Sequence, residues 1–175
     1  TEFSVANSAY SGMIIGYTYL HPTTTLKSFE IQNSITVEDD VHKVTFKTPP
    51  SEKVEIEITC LINCSSTDTR ITVGLSTANA TDGYSVVAGQ FEYDSTGIFF
   101  TDDEIDDQVV VFKFVVESAY LASIGSDNTF WIGFGTANAT KSAFLQYGYR
   151  STHGIGNHPF IIKATALPAT IYDGT

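Results

Sequence analysis

Lys53-Val54-Glu55-Ile56-Glu57-Ile58-Thr59-Cys60 sets Val54, Ile56, Ile58 and Cys60 on one side of an extended chain and Glu55, Glu57 and Thr59 on the other. Successive side chains of a strand point to opposite faces of its sheet, so this strict two-residue period predicts a half-buried β-strand. Upstream, Val41 to Lys47 reads as a second strand, with Val44 and Phe46 on the apolar face and His42, Thr45 and Lys47 opposed to them. Pro49-Pro50-Ser51 lies between the two runs and cannot continue a strand, because proline lacks the N–H that a ladder needs. The unit is strand, turn, strand.

The same signals mark further strands at Met13–Leu20, Phe29–Val37, Thr69–Leu75, Tyr84–Phe91, Gln108–Val116, Thr129–Phe134, Ala143–Tyr149 and Phe160–Leu167. Glu117 to Ile124 alone reads as helical, and Ser123-Ile124-Gly125-Ser126 closes it within about two turns. Many short strands punctuated by Gly, Asn, Ser, Thr and Pro predict an all-β fold, an antiparallel β-sandwich of jelly-roll-like kind. At 175 residues the chain has the length of one domain, spanning 1–175, with residues 1–40 as an N-terminal attachment strand or hairpin. Gln108–Val116 is apolar at nearly every position and is expected to be a central strand covered on both faces. Val54, Ile56, Ile58, Val111, Phe114, Ile132 and Phe134 are the expected core.

Charge narrows the function. Twenty acidic against nine basic residues give a net charge of -11. Such a surface repels phosphate backbones, which argues against nucleic acid as a partner. The longest apolar run, Val109 to Val116, is broken by Lys113 and falls far short of the roughly 20 residues that cross a bilayer, so no membrane insertion is expected. Cys60 and Cys64, if both lie on one strand, have Cα atoms about 13 Å apart, beyond the roughly 4.4–6.8 Å of a disulfide. Free thiols are expected unless the chain turns between them, and no second Cys or His pair completes a zinc site.

Candidate sites are sparse. Asp102, Asp103, Glu104 and Asp106 offer carboxylate oxygens of the kind Ca²⁺ takes, but the run lacks the EF-hand glycine and has Lys113 where the bidentate Glu belongs. It reads either as a calcium loop or as a solvated acidic loop, as does the shorter Glu38-Asp39-Asp40 run, so no cofactor is required and Ca²⁺ is the one candidate. His153 and His158 flank Gly154-Ile155-Gly156-Asn157 and form either a metal pair or two loop histidines, and their turn is an outlying candidate for binding at the host surface. No G-x-S-x-G elbow or phosphate-binding glycine loop occurs, and the chain is read as a non-enzyme. Val73-Gly74-Leu75-Ser76-Thr77-Ala78-Asn79-Ala80-Thr81 is echoed by Ile132-Gly133-Phe134-Gly135-Thr136-Ala137-Asn138-Ala139-Thr140, an offset of 132 − 73 = 59 residues. Read as equivalent corners of two sheet halves, the echo points to binding through Asn79, Thr81 and Tyr84 and through Asn138 and Thr140. The amphipathic rings of Tyr84, Tyr93, Tyr120, Tyr147, Tyr149 and Tyr172 suit sugars or protein partners.

Phe160-Ile161-Ile162-Lys163-Ala164-Thr165-Ala166-Leu167-Pro168-Ala169 resembles the ending of a virion domain found in marine, cyanophage-like phages. Lys43-Val44-Thr45-Phe46 with Pro49-Pro50, Lys53-Val54-Glu55-Ile56-Glu57, Val73-Gly74-Leu75-Ser76, Lys113-Phe114-Val115-Val116 and Tyr147-Gly148-Tyr149 follow the same order, so the resemblance covers about residues 41 to 169. It implies a phage virion structural protein, a tail-fibre or receptor-binding domain acting in assembly and host attachment. The implied location is the virion, and the implied partners are copies of itself as a trimer, other virion proteins and a host-surface glycan or protein. Where that family has a Gly-Thr-rich loop, this chain has Glu117 to Ser126. A capsid decoration protein and a carbohydrate-binding jelly roll are the alternatives.

Overall fold

The computed structural model describes residues 11–31, 35, 37, 39–64, 69–79, 96–100, 107–136, 143–150 and 155–170. Eleven strands run β1 Ile14–Leu20, β2 Leu26–Glu30, β3 Lys43–Lys47, β4 Lys53–Cys64, β5 Thr69–Ser76, β6 Thr96–Phe100, β7 Asp107–Glu117, β8 Asp127–Thr136, β9 Ala143–Arg150, β10 Ile155–Gly156 and β11 Phe160–Ala166. Seven of them form one sheet in the order β1-β11-β4-β9-β10, with β7 paired to β4 and β2 to β9; β3-β8-β5-β6 form the other. Every pairing is antiparallel. The chain crosses between the sheets after β2, β3, β4, β6, β7 and β8. The fold is the antiparallel β-sandwich that the periodicity predicts.

The decisive run behaves as read. Val54, Ile56, Ile58 and Cys60 are fully buried, and β4 extends past Cys60 to Cys64 with Ile62 on the same face. β4 organises the larger sheet: β7 lies along one edge from Lys53 to Asn63, while β11 takes the first half of the other edge and β9 the second. Its inner face meets Val44 and Phe46 of β3, Ile71, Val73 and Leu75 of β5, and Phe130, Ile132 and Phe134 of β8 in one core. Cys60 and Cys64 are buried free thiols on that face, and burial pushes the Cys64 thiol up to about 11, which leaves it inert. β1 closes one side of the sandwich by crossing β3, where a Cβ on Gly16 would stand 2.7 Å from the Thr45 carbonyl oxygen.

Several expectations are corrected. Val111 is 52% exposed; the buried residues of β7 are Val110, Phe112, Phe114 and Val116, so the strand has one covered face rather than two. Its outward valines satisfy strand propensity without being core, which a nearly all-apolar run conceals. His42 shares the inward face of Val44 and is 0% exposed, not opposed to it. Glu117–Ile124 contains only a 3-10 turn at Ser118–Tyr120, since the chain must reverse there from one sheet to the other. The strand expected at Phe29–Val37 lies earlier, at Leu26–Glu30, and Tyr84–Phe91 falls outside the described residues. β6 and β10 were not anticipated. Within residues 1–40, β1 pairs with β11 and β2 with β9, each at a margin of the larger sheet.

Candidate functional site

At the β3–β8 end of the smaller sheet, Asp39 to His42 makes a tight turn. The Val41 N–H donates to Asp39 Oδ1 at 3.2 Å and the His42 N–H to the Asp39 carbonyl at 3.0 Å. The turn presents Asp40 to three donors: Lys43 Nζ at 2.9 Å on Oδ2, with Trp131 Nε1 at 3.1 Å and Asn79 Nδ2 at 3.0 Å on Oδ1. Strand register supplies two of these partners, because Lys43 and Trp131 are directly opposite across β3 and β8. The Lys43 ammonium, and after it the Trp131 N–H, hold the Asp40 carboxyl below the usual carboxylate range. Lys43 Nζ also lies 5.5 Å from the centre of the indole. The carboxylate fixes the orientation of the ring, and the ammonium sits over one of its faces.

β5 ends at Ser76, opposite Trp131, so beyond that point the other edge of β8 borders a groove of about 330 Å³. Thr77, Tyr120, Ala122, Asp127, Thr129 and Trp131 line it. Its far wall is clasped by buried Asn128, whose Oδ1 accepts from the Ala122 N–H at 2.8 Å and whose Nδ2 donates to Thr48 Oγ1 at 2.8 Å and to the Ser126 carbonyl at 3.3 Å. Thr48 Oγ1 completes the clasp by donating to the Ala122 carbonyl at 2.8 Å. Removing a buried amide strands its partners without water, so Asn128→Ala is expected to cost about 1–3 kcal/mol in urea melts. A loss within noise would show that the wall stands without the clasp.

The groove combines a fixed indole, a second ring, hydroxyls and a carboxylate. Such a surface suits a sugar, whose C–H faces stack on rings while its hydroxyls bond to the rim. Among the described residues no group of three or more His, Cys, Asp or Glu is placed to hold a metal ion, and no helix is long and apolar enough to cross a membrane.

Of the residues singled out from the sequence, the structure brings Asn79 and Tyr120 into this site. His158 does not join the bonds around Asp40; its Nδ1 lies 2.6 Å from the Pro159 carbonyl oxygen. Thr81, Tyr84, Asn138, Thr140 and His153, with Asp102, Asp103, Glu104 and Asp106 of the acidic run, lie outside the described residues. The echoed strands prove to be antiparallel neighbours, with Gly74 opposite Gly133. Their following loops therefore leave from opposite ends, about 17 Å apart along β8 at ~3.4 Å per residue, and not from equivalent corners of two sheets. Sequence reasoning missed Lys43 and Trp131, and it gives Asp40 only as part of an acidic run. The signal for Trp131 was present: it is the one tryptophan of the chain, at the outward phase of a strand.

No family model matches the chain, and no curated protein matches it. Among solved structures it is similar to the CBM22-1 xylan-binding domain from Paenibacillus barcinonensis Xyn10C, with 11% sequence identity and a TM-score of 0.31, covering 91% of this chain and 99% of that domain. A TM-score at that level carries no argument about fold or ligand.

Proposed function

We propose that this chain is a non-catalytic recognition domain that holds a segment of glycan in the Trp131–Tyr120 groove, and that it serves a virion appendage in host-surface attachment. The observation that carries the reading is the indole of Trp131, locked by Asp40 at the mouth of a groove of sugar-binding size and polarity. The virion setting rests on the ordered sequence resemblance alone. Non-catalytic action is part of the proposal, in keeping with a groove whose rings, hydroxyls and carboxylate are groups that hold a sugar.

Because Trp131 is the single tryptophan, tryptophan emission, excited selectively over tyrosine, reports on this site and no other. Titration with oligosaccharides cut from bacterial envelope polysaccharide is expected to shift the emission in a saturable way. Trp131→Ala, followed by calorimetry, is expected to weaken binding about tenfold or more, a factor equivalent to ~1.4 kcal/mol. Unchanged calorimetric affinity in that variant, or no saturable shift with any envelope oligosaccharide, overturns the glycan reading. The location is tested separately by labelled antibodies against purified virions, where tail labelling supports the appendage and capsid labelling replaces it with a decoration role.

A further inference from the structure

The outward face of the larger sheet carries a second surface, independent of the groove. Register lines up Tyr19, Ile161, Thr59 and Val111 across β1, β11, β4 and β7, and one pleat further Tyr17, Lys163, Glu57 and Lys113. Tyr17 and Tyr19 are 55% and 56% exposed, and Val109 and Val111 are 51% and 52% exposed. Between them runs a ladder of ion pairs. Lys163 and Lys113 each reach Glu57 at 2.8 Å, Lys113 reaches Glu55 at 3.5 Å, and Lys53 reaches Glu117 at 3.1 Å. With Asp107 at the far end, three lysines stand against four carboxylates, 3 − 4 = −1, on a chain whose net charge is -11. Two copies repel each other through most of their surface, yet hardly at all through this face.

We infer that this face is a contact between two copies of the chain, packed sheet on sheet about a two-fold axis. The pattern of the two rows is self-complementary under one such operation. An axis in the interface, parallel to the strands and between β11 and β4, sets Lys163 over the second copy's Glu57 and Tyr17 over its Lys113. The same turn sets Tyr19 over the second copy's Val111 and Ile161 over its Thr59. Opposite charges meet, rings meet a cation or a valine, and the relation is reciprocal as an isologous dimer requires. Four strands at ~4.8 Å and six paired residues at ~3.4 Å give a face of roughly 400 Å² in projection. That lies below the roughly 800 Å² per partner of a standard interface, so the contact belongs to the weak class.

Sedimentation velocity across about 1 µM to 1 mM is expected to show a reversible monomer–dimer equilibrium in the upper part of that range, as a weak interface implies. Added salt is expected to strengthen it, because screening relieves the repulsion between two acidic chains more than it weakens ion pairs already satisfied within each copy. Tyr19→Glu and Val111→Glu are each expected to weaken association tenfold or more, while Ile124→Glu, on a loop with 51% exposure, adds the same charge and leaves it in place. All three positions are exposed, so unchanged thermal melting confirms that each variant is folded. A monomer at every concentration and salt overturns the inference. So does a dimer that ignores Tyr19→Glu and Val111→Glu, or one that Ile124→Glu weakens equally.

Discussion

Ile56→Ala is expected to lower the unfolding free energy by about 2–5 kcal/mol, the range for a large aliphatic truncated inside a core that cannot fully collapse around the gap. Ile56 is 0% exposed and sits in the first half of β4, the strand on which both halves of the larger sheet are hung. Across the strands it is flanked by Ala164 on β11 and Phe114 on β7, both buried, and its side chain faces the core between the sheets. Alanine at 164 leaves little bulk on that side to fill the space. The companion experiment is Val111→Ala, which removes an apolar side chain of the neighbouring strand but from the outward face. It is expected to stay within about 0.5 kcal/mol, as surface substitutions do. Urea melts of the two variants read the register directly. Comparable losses at both positions would mean that β7 is turned over or covered on both sides.

Acidification is expected to destabilise the fold well before its carboxylates are titrated, through one buried imidazole. His42 is fully buried in an aromatic shell, with ring centroids 5.2 Å from Phe29, 5.6 Å from Tyr147 and 4.8 Å from Phe160. Nε2 bonds to the Tyr147 hydroxyl at 3.0 Å, and Nδ1 has no hydrogen-bond partner among the described residues. Burial lowers the pKa of His42 from 6.5 to about 4, against a smaller opposing pull from Asp39. The unfolded chain therefore takes up a proton between those values while the folded chain does not. Stability is fully present above about pH 6.5 and declines as pH falls toward 4, in all by about 3 kcal/mol at ~1.4 kcal/mol per pH unit. The carboxyls of Asp40 and Glu57 are also lowered, by their lysine partners, but from the ordinary carboxylate range, so their contributions begin to fade only once the pH has fallen into that range. Above about pH 5 the slope belongs to His42, and His42→Phe should flatten it whatever that variant does to absolute stability. An equally steep slope in the variant would assign the effect to another group. Since His42 ends the turn that carries Asp40, the same acid transition should loosen Trp131, visible in its emission.

Alternation was enough to tell the inner from the outer face of β4, because a polar residue at every second position admits one orientation, and strand propensity with turn spacing was enough to place β3, β8 and β11 as strands. The two-sheet, antiparallel class followed from strand length and turn chemistry. Where alternation failed, so did the reading. β7 is apolar on both sides, and only its pairing to β4 decided that Val110, Phe112, Phe114 and Val116 face inward and Val111 does not. His42 looks like a surface residue in a run ending in charges, yet an aromatic shell assembled from β2, β9 and β11 encloses it. The candidate site lay further still from view. Asp40, Asn79 and Trp131 are separated by 39 and 91 residues from the first to each of the others, and they meet because β3 pairs with β8 and β5 ends at Ser76. A sequence specifies which residues can be strands and which faces they bury through local periodicity; which strand lies beside which is a global choice, made by the closure of one shared core, and the groove exists only as a consequence of that choice.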